Sequence, residues 1–114
     1  MAFARNNNNA SVQKSTDFPR VTVEMLRNLH AVVRNVRQVA DNCLTFTLRL
    51  YGIDLYNMRL VEGQKGVFIT ASAQKGKDGK YHDNFRVYLD DAAAKAVENA
   101  VRGAFLNSVD ELEV

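Results

Sequence analysis

Lys75, Lys77 and Lys80 fall close together in the run QKGKDGK, which also holds Gly76, Asp78 and Gly79. Ammonium groups at this density suit backbone phosphate, because each neutralises one charge and releases a condensed counterion. Arg59, Arg86 and Arg102 are further candidate phosphate contacts, and Tyr81 and Tyr88 are rings that could stack on unpaired bases. The two tyrosines are an odd number of residues apart, so a regular strand would put them on opposite faces. A nucleotide cradle is a poor reading of the same run. Such a loop needs Gly-Lys-Ser/Thr opening a helix so that N–H groups converge on phosphate, whereas QKGKDGK leads into a strand-like segment. The plainer alternative is a solvated hairpin whose lysines serve solubility.

Other chemistry is sparse. His30 and His82 lie far apart without Cys or carboxylate at metal-ligand spacing, and the lone Cys43 can form neither an internal disulfide nor a Cys-rich metal site. Asp78 and Asp83 flank a turn, and turn formation accounts for them better than paired acid–base work. No catalytic residue, metal site, cofactor or small-molecule substrate is expected, and the chain is read as a non-enzyme.

The 114 residues fit one domain with one core, and the apolar and charged fractions, 46% and 25%, are those of an ordinary globular protein. No run is long and apolar enough to cross a bilayer and MAFARNNNN lacks the apolar centre of a signal peptide, so a cytoplasmic protein without membrane contact is expected. A formal net charge of +2 identifies no partner, but its distribution is uneven. Arg59, Lys65, Lys75, Lys77, Lys80 and Arg86 crowd the middle of the chain, and Asp110, Glu111 and Glu113 close it.

The elements that must position the lysines follow from periodicity. Residues 1–20 are rich in Asn, Ser, Lys and Gln and read as a flexible tail. Thr22 can cap a short helix turn with Met25, Leu26 and Leu29 inward, although Val21, Val23 and Met25 also alternate as a strand would. The run Ala31 to Val39 has two mixed faces, Val32, Arg34, Val36 and Gln38 against Val33, Asn35, Arg37 and Val39, which suits an edge or partly covered strand. After the turn Asp41-Asn42, the residues Leu44, Phe46, Leu48 and Leu50 alternate with Thr45, Thr47 and Arg49 as a half-buried strand. Gly52 allows a reversal into Asp54 to Leu60, where Tyr56, Met58 and Leu60 alternate with Leu55, Asn57 and Arg59. The turn EGQKG then leads to Val67 to Ala73, and Asp78-Gly79 is a hairpin signal before a fifth strand, Tyr81 to Leu89. Asp90 or Asp91 caps a helix to about Leu106, with Ala94, Val97, Val101 and Phe105 on one stripe beside Ala93, Ala100 and Ala104.

The fold class expected is therefore α+β: an antiparallel β-meander of about five strands with a C-terminal amphipathic helix packed on it, dimerising through the sheet. The domain spans 21–107, and 108–114 is an acidic tail.

The stretch Leu55 to Asp83 resembles the core of the SpoVG family (stage V sporulation protein G, or septation protein SpoVG). Arg59, Gly63, Gly66, Phe68, Asp78, Gly79, Tyr81 and Asp83 fall on the family pattern without a gap, and the likeness extends more loosely over Ala31 to Phe105. Where the family usually has Pro-Ser this chain has Ser72-Ala73, a second family Pro is replaced near Val87, and the usual basic pair is Gln74-Lys75. The resemblance implies a homodimeric regulator of bacterial gene expression and cell division that binds DNA or RNA without cofactor or catalysis. The rival reading is a structural adaptor that recruits a division or envelope partner through a sheet edge.

Overall fold

The computed structural model describes residues 19–114. The tail expected over 1–20 falls almost entirely outside them. Helix α1 (Val23–Asn28) begins at Thr22, whose Oγ1 accepts the Met25 N–H at 3.2 Å, and its buried residue is Leu26. The capping signal thus prevails over the strand alternation.

Four strands follow, each paired with the next: β1 (Val32–Ala40), β2 (Cys43–Leu50), β3 (Ile53–Gly63) and β4 (Gly66–Thr70). Their turns are tight for stated reasons. Leu50 faces Ile53 across Tyr51 and Gly52, both at positive φ (32° and 84°), the backbone that a two-residue hairpin demands. Gly63 faces Gly66 across Gln64 and Lys65.

The regular alternation is broken twice. Arg34 pairs with Thr47 and Arg37 with Thr45, so Asn35 and Val36 together oppose Phe46; likewise, Phe46 pairs with Met58 and Leu48 with Leu55, leaving Tyr56 and Asn57 opposite Thr47. Asn35 and Asn57 take φ of 53° and 56°, a left-handed backbone that Asn tolerates better than most residues. Each bulge transfers the residues beyond it to the other face. One face then gathers Val33, Phe46, Leu48, Met58 and Leu60, all buried.

That face is covered by α2 (Asp91–Leu106), which buries Ala93, Val97, Ala100, Val101 and Ala104. Asp90 is the N-cap: its Oδ1 accepts the Ala93 N–H at 2.7 Å, while its own N–H donates to the Val21 carbonyl at 2.9 Å. The architecture is α+β, a five-stranded antiparallel sheet with a C-terminal helix on one face.

Two details differ from the sequence-based expectation. The fifth strand of this sheet is β7 (Glu111–Glu113), which lies antiparallel to Val32, Val33 and Arg34 of β1, giving the order β4-β3-β2-β1-β7. The acidic residues read as a tail are therefore a strand, anchored by Leu112 against Gly103 of α2, where an added Cβ would come within 2.9 Å of Leu112 Cδ2. The run Tyr81 to Leu89 does not join the sheet. Only β6 (Tyr81–Asp83) is a strand, and it pairs with β5 (Ala73–Lys75) in a separate two-stranded ribbon. Phe85, Val87 and Leu89 alternate because they pack beside the core from an extended segment. Their alternation reports one-sided burial, not a ladder.

Candidate nucleic-acid interface

The ribbon presents the lysines. Lys75 ends β5 opposite Tyr81, and Gly76 to Lys80 make the tip, closed by hydrogen bonds from Gly76 N–H to the Lys80 carbonyl (2.8 Å) and from Gly79 N–H to the Gly76 carbonyl (3.0 Å). Gly79, at φ 80°, supplies the positive-φ position of this turn. Asp78 is turned inward on the tip: its Oδ1 accepts the Lys80 N–H at 3.0 Å, and His82 Nε2 lies 3.1 Å from Oδ2. The Lys80 N–H, and after it His82, hold the Asp78 carboxyl below its ordinary range. The acid thus serves the turn, and Lys75, Lys77 and Lys80 are exposed with no ion-pair partner among the described residues.

At the base of the ribbon Asn84 clasps Ser72, its N–H reaching the carbonyl at 2.8 Å and its Nδ2 the hydroxyl at 2.7 Å. Arg86 follows, with Nε donating to Asp83 Oδ2 at 2.9 Å. Tyr88 first, and Asp83 second, hold the Arg86 guanidinium above its ordinary value. Arg86 is near the ribbon, but its charge is already engaged.

The other two candidates separate. Arg102 lies on α2, with Nη1 2.7 Å from Glu62 Oε1 and Nε 2.8 Å from Glu98 Oε2, so it ties the helix to the β3–β4 turn. The ribbon leaves from the opposite end of β4, and the structure does not bring Arg102 to it. Arg59 is exposed on β3 opposite Thr70, the last residue of β4, and lies on the sheet face away from α2. Across the strands its row reads Arg37, Thr45, Arg59, Thr70. Arg37 was not among the candidates. Strict alternation sets it with Val33 on the core side, and only the Asn35 bulge moves it next to Arg59's row.

Two aromatic residues share this open face. Phe68 pairs with Val61 on the Arg59 side and is 49% exposed, while its ring lies over Gly63, where a Cβ would meet Cε1 at 3.2 Å. Tyr56, 60% exposed, reaches Asp54 Oδ2 with its hydroxyl at 3.3 Å. Tyr81 is exposed on the ribbon itself. Among the described residues no group of His, Cys, Asp and Glu could hold a metal ion, and no helix is long and apolar enough to cross a membrane.

Comparison with known proteins gives one informative match. A protein of Symbiobacterium thermophilum provisionally named septation protein SpoVG is 38% identical over 71 residues, which cover 61% of this chain and 43% of that protein. The matched stretch thus spans less than half of the relative's length. No family model matches the chain, and no solved structure matches it at a significant level.

Proposed function

We propose that the chain is a SpoVG-type protein that binds nucleic acid, DNA or RNA, through the ribbon formed by β5 and β6, and acts as a non-catalytic regulator linked to septation. The observation that carries this reading is the ribbon tip, where Lys75, Lys77 and Lys80 are exposed and unpaired among the described residues while the neighbouring Asp78 is bound internally. Similarity to a protein whose name refers to septation supplies the process. Arg59 extends the cationic surface onto the sheet; Arg86 and Arg102 contribute less, because carboxylates already hold them. A homodimer would present two ribbons on one polymer, and β4, at the end of the sheet, offers an edge for pairing.

Replacement of Lys75, Lys77 and Lys80 by Glu should abolish binding to DNA and RNA at physiological salt. For the native chain, log affinity should fall linearly with log salt, by about 0.9 per duplex phosphate neutralised. Affinity unchanged in the triple variant would remove the ribbon from the interface. The edge of β4, on which no strand is paired among the described residues, also supports the adaptor reading, in which a partner protein adds a strand there. That reading gains if the native chain binds neither polymer even at low salt.

A further inference from the structure

The face of the sheet turned away from α2 carries charge in two parts. Near the β2–β3 turn the charges are matched: Arg34 Nε faces Glu111 Oε1 at 3.5 Å, and Arg49 Nε meets Asp54 Oδ1 at 2.7 Å. Farther along the strands, toward the β1–β2 turn, they are not. Arg37 and Arg59 sit on the same cross-strand row, both exposed, with no ion pair among the described residues. Phe68 and Tyr56 lie on the same face, on either side of Arg59 along the strands, roughly 13 Å apart at about 3.3 Å per residue. The Phe68 ring is settled over Gly63 yet remains half-exposed. An exposed aromatic ring seated on a glycine has little freedom left to lose when a second ring stacks on it.

We propose that this open face is a track for single-stranded nucleic acid, in which Phe68 and Tyr56 stack on unpaired bases, Arg59 meets the phosphate between them, and Arg37, two strands to the side, meets a phosphate at the flank. The inference rests on the ribbon reading above and deepens it by naming the form of polymer. Charge complementarity selects a polyanion, and the alternation of cation and ring selects one whose bases are free. A duplex presents only base edges, with the base faces already stacked on one another, whereas every unpaired base offers a face to an aromatic side chain. The row ends at Thr70, and the ribbon begins three residues later at Ala73.

The test uses the full chain with oligothymidylate, oligouridylate and a DNA duplex of equal length. Four proteins are compared: native, Phe68→Leu, the double variant Arg37→Gln with Arg59→Gln, and the triple Lys-to-Glu variant of the ribbon. Phe68→Leu keeps an apolar residue over Gly63, and both arginines are exposed, so melting curves should match the native chain.

Phe68→Leu is expected to weaken single-strand binding about tenfold or more while leaving duplex binding unchanged. The double arginine variant should lower the single-strand salt slope by about 0.7 for each phosphate that is no longer neutralised. The thymidylate and uridylate arms separate DNA from RNA. Unchanged single-strand affinity in both open-face variants, with binding abolished in the ribbon variant, overturns the track and leaves the ribbon reading standing. Native protein that binds none of the three polymers at low salt overturns both.

Discussion

Asn35 on β1 and Asn57 on β3 flank the middle of β2, where Phe46 and Thr47 sit, and both hold a left-handed backbone. Two bulges at one level of the sheet decide which side chains face α2. A β-branched residue resists this backbone, at a cost of about 1–2 kcal/mol. Asn57→Val and Asn35→Val should each lower unfolding free energy in urea by that order, and the corresponding glycine variants should lose much less. Equal losses for Val and Gly at either site would mean that φ is not what the asparagine provides.

The same bulges mark where the sequence ceased to be legible. Strands β1 to β4, their turns and the C-terminal helix were present as periodicity and turn chemistry. Strict alternation, however, grouped Val36 with Arg34 and Tyr56 with Met58, because nothing in the composition announces one extra residue. With Asn35 and Asn57 set aside, Val33 and Val36 fall together, as do Leu55, Met58 and Leu60, while Arg37 and Arg59 share the other side. Three residues, Glu111 to Glu113, were too few and too acidic to read as a strand; pairing with β1 and the seat of Leu112 on Gly103 hold them. The lysine hairpin was legible from Asp78-Gly79, but its departure from the sheet was not, since Phe85, Val87 and Leu89 alternate as a paired strand would.

Arg49 and Asp54 form a two-pronged pair, with Nε to Oδ1 at 2.7 Å and Nη2 to Oδ2 at 2.9 Å. The Arg49 hydrogen bond is the main reason that the Asp54 carboxyl lies below its ordinary range. Because the folded state favours the charged form, this contribution is present above the unfolded carboxylate value of about 3.9 and disappears as pH falls through the lower folded value. Asp54→Asn should therefore melt below the native chain at neutral pH, with the gap closing in acid. A gap that stays constant from about pH 7 to about pH 2 would contradict the pairing.

At Gly76 an added Cβ would come within 2.8 Å of His82 Cδ2 and 2.9 Å of Asp78 Oδ1. Gly76→Ala must therefore displace His82 or Asp78 from the arrangement that closes the tip. Hydrogen exchange at the Lys80 amide, which donates to Asp78, should accelerate, and the melting temperature should stay where it is. Unaltered exchange would show that the tip adapts without releasing Asp78.

The Asp90 carboxylate caps α2 at the Ala93 N–H. Asp90→Ala should cost about 1 kcal/mol of stability and Asp90→Asn only part of it. The backbone bond from Asp90 N–H to Val21 survives either substitution, so a much larger loss in urea titration would point to a role beyond the cap.

The ribbon of β5 and β6 shares no ladder with the five-stranded sheet and is fastened near its base by the clasp between Asn84 and Ser72. Residues that bind a partner commonly trade against the integrity of the fold, because the same side chains serve both. On the ribbon reading proposed above, that trade is small at the tip. Substitutions of Lys75, Lys77 or Lys80 would then change recognition while the helix and sheet that keep the chain folded are left under no pressure to compensate.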